Sequence, residues 1–415
     1  MTIEPTLFLA DFQSMSSFGA TPRGGVDRQA ATPTDGQTRN WFRGLCEGHG
    51  FSVEYDQIGN QFALLELAPG APYVAIGSHL DSQPLGGRFD GAYGVLAAAH
   101  AAIAVRDRVT AEGGAVFNIA VVNWFNEEGC RFKPSMMGSS VFTGKLDADL
   151  ALQTQDPHGI TVREALESIG TIGDTTVDLA AYVEIHIEQG RSLEDAGATI
   201  GLVESTWGAN KYEFTVHGEQ SHTGATVIAD RRDALFAAAS MVVAAREVAE
   251  EHTDDDGMVI TSCGEFTVFP NSPVVVASQV DLLIDVRSTD PDRLARADAD
   301  LRRRIEGIQA HSGVRIERGA EHIWEAKAYD RAGMDLARSC ADELGLEHRV
   351  VRTLAGHDST NLKDHVPTIM LFVPSAEGIT HNELEYTSDE DMVAGLRLLE
   401  QVVGRVVTGE FVPER

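Results

Sequence analysis

The chain is 415 residues long and 43% hydrophobic, enough to bury ordinary globular cores in two or three domains, which excludes disordered and fibrous classes. Acidic residues outnumber basic ones by 63 to 33, and the resulting formal charge of −30 repels phosphate backbones and anionic membranes, so neither nucleic acid nor a membrane surface is an expected partner. Cys46, Cys130, Cys263 and Cys340 are scattered without a C-x-x-C pair, which argues against a disulfide framework and a thiolate zinc site and fits a reducing cytoplasm.

The first thirty residues lack the basic n-region and unbroken apolar stretch of a signal peptide, and no apolar run reaches the roughly 18 residues of a membrane span. A soluble cytoplasmic protein is expected. From Trp41 to about Ile200 helices alternate with short apolar strands, clearest in the strands Tyr73–Ser78, Val116–Trp124 and Tyr182–Glu188 and the helix Ala92–Val105. That alternation predicts an α/β layered domain with a buried, mixed sheet flanked by helices.

Near Gly208 the pattern changes. Lys211–Val216 reads as a strand, Arg231–His252 as an Ala-rich helix, Met258–Phe269 and Gln279–Arg287 as strands, Pro291–Gln309 as an amphipathic helix and Val314–Trp324 as a strand. The order β-α-β-β-α-β is that of a ferredoxin-like α+β unit. The acidic run Asp254–Asp256 reads as a solvated loop, because it lacks the spacing of a calcium loop. After Ala328 the α/β rhythm resumes with a helix near Met334–Leu344, a strand at Thr368–Val373 and a helix at Asp389–Val407. One catalytic domain, residues 1–208 and 328–415, is therefore expected to be interrupted by an inserted domain, residues 209–327. Chemically suggestive residues before and after the insert must then converge.

Those residues lie in five stretches. In Gly77-Ser78-His79-Leu80-Asp81-Ser82 a His and an Asp follow an apolar strand, where α/β sheets place their sites. His79 is a candidate metal ligand, and Asp81, two residues on, is placed to accept its other imidazole N–H. Alone, H-x-D also describes a hydrogen-bonded structural histidine. Asp90, in the glycine-dense run Gly86–Gly94, is a candidate bridging carboxylate or a helix cap.

Asn126-Glu127-Glu128-Gly129 follows the strand Val116–Trp124, and adjacent extended residues face opposite sides, so one glutamate can bind metal while the other stays free as a base. In Glu184-Ile185-His186-Ile187-Glu188 the polar residues share one strand face, a histidine between carboxylates that suits a divalent ion. His381, in Thr380-His381-Asn382-Glu383, lies beyond the strand Thr368–Val373. Together, the imidazoles and carboxylates, with no thiolate, describe a zinc-type hydrolytic site whose donor count suits two ions about 3.5–4 Å apart.

The runs GSHLDSQPLGGRFDGAYGVLA, NEEGCRFKPSMMGS, EIHIEQG, HTGAT and PSAEGITHNELE, in this order, resemble the amidase/hydantoinase/carbamoylase branch of the M20 metallopeptidases from about Gly24 to Glu400. That branch includes N-carbamoyl-L-amino acid amidohydrolases, allantoate and ureidoglycolate amidohydrolases and β-ureidopropionases. The resemblance implies a catalytic domain with an inserted lid and dimerisation domain, a homodimer formed through the insert, and two divalent ions, Zn2+ first, with Mn2+, Co2+ or Ni2+ as substitutes. It implies that His79 and Glu128 bind opposite ions, that Asp90 bridges them, and that His186 and His381 complete the two sites.

Glu127 would be the base acting on a metal-bound water that attacks a carbamoyl or ureido carbonyl. His222 matches a lid histidine that stabilises the oxyanion from the neighbouring subunit, and Arg287 an arginine that binds the substrate carboxylate. Gln189 falls in the HIEQG run and is implied to touch the substrate. His357, in Gly356-His357-Asp358, matches a loop near the active site. Two departures bear on the substrate: Val274 stands where the branch commonly has asparagine, with Asn271 three positions earlier, and Arg191 replaces a proline. The implied reaction is hydrolysis of a linear C–N amide in an N-carbamoyl amino acid or ureido acid, with N-acyl amino acid deacylation or dipeptide hydrolysis at the same centre as the alternative.

Overall fold

The computed structural model describes residues 4–255 and 257–411; Asp256, the end of the acidic run, lies outside the described residues. The chain divides into two units, one made of Met1–Glu204, Tyr329–Val351 and Ala355–Arg415, the other of Ser205–Ala328 with Arg352–Leu354.

The first unit is built on an eight-stranded sheet in the order Ser52–Tyr55, Gln61–Leu65, Asn118–Trp124, Tyr73–His79, Leu179–Ile187, Thr368–Val373, Ile200–Ser205 and His348–Arg352. The middle four run parallel to one another. Ser52–Tyr55 pairs antiparallel with Gln61–Leu65, Gln61–Leu65 with Asn118–Trp124, and Ile200–Ser205 with Thr368–Val373, so the sheet is mixed. Both faces of the parallel strands are covered. Val74, Ile76, Val121 and Val183 pack with the helices Ala92–Glu112 and Asp389–Val407, while the alternate residues Ala75, Ala120, Val122 and Tyr182 pack with Phe62, Leu362 and Val366. Two covered faces explain why these strands read as continuous apolar runs rather than as alternating ones.

The second unit has a four-stranded antiparallel sheet in the order Arg315–Trp324, Gly208–His217, Gln279–Ser288 and Ile260–Phe269. The helices Ala234–Glu251 and Pro291–Ser312 bury one face of it around Phe214, Val216, Val280, Leu282 and Ile284. The helix expected from Arg231 starts three residues later, because Asp233 adopts an extended backbone and its carboxylate accepts the N–H groups of Leu235 and Phe236. The strand expected at Tyr182–Glu188 begins earlier, at Leu179, and ends at Ile187, where Glu188 turns to accept the N–H groups of Ser192 and Leu193. The helices Pro5–Met15 and Pro33–Gly48 lie ahead of the first clear sequence signal. Among the described residues no helix is long and apolar enough to cross a membrane.

Candidate metal centre

The parallel strands of the first unit end on one edge of the sheet, the edge where open α/β sheets collect their sites. His79 closes the strand Tyr73–His79 and His186 is the penultimate residue of Leu179–Ile187. Glu127 and Glu128 follow Trp124, the last residue of their strand, and His381 follows the strand Thr368–Val373 after a short turn at Ala376–Gly378. Asp90 comes from the loop leading into the helix Ala92–Glu112. The intervening Gly91 has φ +61°, and a Cβ there would lie 2.4 Å from His79 Nε2, so both the backbone and the imidazole require glycine.

These side chains meet around the carboxylate of Asp90. Its Oδ1 lies 3.3 Å from His79 Nε2 and 3.1 Å from His186 Nε2, and its Oδ2 lies 3.3 Å from His381 Nε2. Glu128 Oε2 is also 3.3 Å from His381 Nε2. Two groups able to hold an ion result, His79 with Asp90 and His186, and Asp90 with Glu128 and His381. Asp90 belongs to both. All but the half-exposed His381 are buried, so the cluster opens to solvent on the His381 side. Glu127 Oε2 stands 3.6 Å from His79 Nε2 yet, among the described residues, belongs to neither group.

Two backbone carbonyls orient the imidazoles. His79 Nδ1 lies 2.9 Å from the Asp81 carbonyl and His186 Nδ1 2.9 Å from that of Ile187. A neutral ring then carries its proton on Nδ1 and turns the Nε2 lone pair into the cluster, the tautomer that metal coordination needs. The N–H of Gly91, which donates to His186 Nε2 over 2.9 Å, requires the same lone pair.

Electrostatics favour a cation here. Burial alone would lower the His79 pKa, but the carboxylates of Glu127, Asp90 and Asp81 raise it well above the usual histidine range. Asp90 is held well below the usual carboxylate range despite its burial, because His186, His381 and His79 bond to it. Burial, with Asp90 beside it, pushes Glu128 up to about 7. Desolvation would lower His381, yet its bond to Asp90 and the charge of Glu128 lift it to about 9. A cluster that holds protons this strongly is one in which positive charge is stabilised, and its nitrogen and oxygen donors suit zinc and its divalent neighbours.

Some expected roles change. The Asp81 carboxylate stands 3.7 Å from His79 Nδ1, as an ion-pair neighbour, while the Asp81 backbone carbonyl takes the hydrogen bond at 2.9 Å; the carboxylate oxygens accept the N–H groups of Glu127 (3.2 Å) and Glu128 (3.3 Å). Asp81 thus joins the His79 turn to the glutamate pair. Glu184, expected to flank His186 at the ion, accepts the hydroxyl of Ser78 and the N–H of Ser359, both at 2.8 Å, and Glu188 is spent on the turn after its strand. Gln189 Nε2 donates to Asp90 Oδ2 (2.7 Å) and Thr380 Oγ1 (3.0 Å), which places it at the cluster. His357 is buried edge-on to His186, with centroids 4.5 Å apart, and its Nε2 finds no hydrogen-bond partner among the described residues. Arg191 is exposed and pairs with Asp195.

In the second unit His222 is exposed, and its Nδ1 accepts the N–H groups of Gly224 (3.0 Å) and Ala225 (3.2 Å), leaving Nε2 as the donor of the neutral ring. His222 pairs in a short ladder with Val275, next to the exposed Val274, and Asn271, with φ +52°, precedes the turn at Pro273 and Val274. Arg287 is not a free fork: Nη2 and Nε donate to Asp285 Oδ2 at 2.6 and 2.9 Å, Nη1 donates to the Leu354 carbonyl, and the guanidinium lies over Trp207. Asp285 is two residues earlier on the same strand face, so this pairing is local.

Sequence reasoning missed three supports. Gln83 grips Glu128 with its N–H (3.0 Å, to Oε1) and its side-chain amide (2.8 Å, to Oε2). The buried Arg28 donates to the Leu80 carbonyl at 2.7 Å and bonds Ser82 through its own backbone, fixing the turn after His79. Glu385, four positions after His381, reaches back to the Asp90 loop. Its spacing within the HNELE run is the one signal that pointed to it.

The model of peptidase family M20/M25/M40 matches residues 75–405. The chain is 34% identical over 389 residues to an N-carbamoyl-L-amino-acid amidohydrolase of Rhizobium meliloti, covering 93% of this chain and 92% of the relative. It is 31% identical over 392 residues to the allantoate amidohydrolase of Bacillus subtilis, covering 93% of each. Among solved structures, an amidase of the hydantoinase/carbamoylase family from Burkholderia vietnamiensis superposes with a TM-score of 0.91 at 34% identity, covering 99% of this chain and 98% of that one.

Proposed function

The chain belongs to peptidase family M20/M25/M40, and from that premise we propose that this amidohydrolase cleaves the linear C–N bond of an N-carbamoyl amino acid or related ureido acid at a centre of two divalent ions. The observation that carries the reading is Asp90: one buried carboxylate is the shared corner of two donor groups, with a further carboxylate, Glu127, close by but in neither. Zn2+, or Mn2+, Co2+ or Ni2+ in its place, would polarise the scissile carbonyl and make water more acidic.

Glu127 then has one task, to take the proton of the attacking water and return it to the departing nitrogen. Without an ion, burial, reinforced by Asp358, Glu128 and Asp90, keeps its carboxyl well above the usual carboxylate range; cations in the two donor groups would draw it back toward the ionised form a base needs. The N–H groups of Glu127 and Glu128 both donate to the Asp81 carboxylate, which fixes the pair as a unit, with Glu128 turned to His381 and Glu127 to His79. In the same reading His222, whose Nε2 is free to donate, stabilises the oxyanion from a partner subunit, and Gln189 and His357 line the substrate. Asn271 and Arg287 bind the substrate carboxylate; such a ligand has to displace Asp285 from the guanidinium.

The test is a screen of N-carbamoyl amino acids, allantoate and N-acyl amino acids with metal-reconstituted enzyme. Ammonia release from a carbamoyl or ureido acid, lost on chelation, is expected. Free amine from acyl substrates with no ammonia from any ureido acid would make the enzyme a deacylase.

A further inference from the structure

Asp90 and His381 differ from His79 and His186 in being carried on loops rather than strands, and the backbone of His381 is in the left-handed region at φ +52°, a conformation its surroundings must impose. One buried side chain bridges the two loops. Glu385 Oε1 accepts the N–H groups of Phe89 and Asp90, each at 3.0 Å, and its Oε2 accepts the hydroxyl of Thr380 at 3.0 Å. Thr380 Oγ1 in turn takes the amide of Gln189 and stands 3.4 Å from Asp90 Oδ2. The contact needs room: a Cβ on Gly87 would come within 1.9 Å of Glu385 Oε1. The next residue, Tyr386, packs edge-on against Phe89, with ring centroids 5.9 Å apart.

We infer that Glu385 is a positioning residue that locks the Asp90 loop to the His381 loop, and that ion binding at Asp90, Glu128 and His381 depends on it. The inference rests on the two-ion reading for its second half and on the hydrogen bonds alone for its first. Without Glu385 two buried backbone N–H groups lose their acceptor, and the loops lose a carboxylate that bonds both. The group formed by Asp90, Glu128 and His381 suffers most, since two of its three donors lie on those loops. The group formed by His79, Asp90 and His186 keeps two strand-borne imidazoles.

Glutamine can replace glutamate here, because its side-chain oxygen still accepts both N–H groups while its amide donates to Thr380 Oγ1. The test compares wild type, Glu385→Ala and Glu385→Gln by hydrogen exchange of the metal-free protein and by chelator-competed Zn2+ titration. Glu385→Ala is expected to lose protection in peptides spanning 86–91 and 376–385. It should bind the second ion weaker by a factor on the order of 10–100, with Glu385→Gln close to wild type in both measurements. Wild-type exchange or wild-type affinity for the second ion in Glu385→Ala overturns the inference, as does a glutamine variant no better than alanine. Should Glu385→Ala fail to fold, Thr380→Val removes only the bridging hydroxyl: a weaker second ion supports the clamp and unchanged affinity contradicts it. A wild type that binds no second ion refutes the two-ion reading, while the exchange measurement still decides whether the two loops are clamped.

Discussion

The two units use opposite kinds of sheet. In the first, the strands Asn118–Trp124 and Leu179–Ile187 are buried at every position, and the chemistry-bearing residues crowd the edge where the parallel strands end. In the second, helices cover one face only, and the outer strand Ile260–Phe269 has no fully buried residue. A sheet covered on both faces leaves only its ends for polar side chains, so His79, Glu127, Glu128 and His186 gather at one end. A sheet covered on one face can carry polar residues along its length, and the polar residues of the second unit are correspondingly spread out.

If that division holds, substitutions in the two units should separate chemistry from packing. The largest effect is expected at Glu127. Glu127→Gln should lower turnover by a factor on the order of 10²–10⁴ while ion content and urea unfolding stay at wild type, as metal analysis beside steady-state kinetics would show; normal turnover would remove Glu127 from its role. Next comes Ile284, wholly buried in the core of the second unit. Ile284→Ala should cost about 2–5 kcal/mol in the unfolding of that unit, read from urea denaturation, with the full complement of ions retained by the first. Loss of the ions would show that the units are not separable in this way. Smaller still, Gly91→Ala should cost about 1–3 kcal/mol through its backbone conformation and the clash with His79, and unlike Ile284→Ala it should weaken ion binding measured by titration.

The same contrast decides what was legible in the sequence. The strands ending near His79, Glu127 and His186 announce themselves as apolar runs that stop at polar residues, and the five stretches that share imidazoles and carboxylates do meet at Asp90. Legibility fails where a side chain serves the backbone. Asp81 and Glu188 have the spacing of ligand neighbours but satisfy N–H groups of adjacent turns, and Glu184 ties Ser78 to Ser359; a strand pattern shows which face a carboxylate shares, not which donor it finds there. Arg287 likewise reads as a free fork until Asp285, on its own face, is seen to occupy it. Glu385 and Arg28 are hard to find in the sequence for another reason. Their partners lie about 300 and 50 residues away in sequence, and only the folded sheet brings them together. The helix Pro33–Gly48 could have been placed from local chemistry, since Thr32 accepts the Asp35 N–H ahead of a proline at the first helical turn.

The most direct test of the two-ion centre is the number of divalent ions bound per chain, counted by native mass spectrometry of the zinc-reconstituted wild type and of Asp90→Ala. Because Asp90 is the corner common to both donor groups, two ions are expected in the wild type and neither should be retained in the variant. A single ion in the wild type, or two ions kept by Asp90→Ala, would contradict a centre bridged by Asp90.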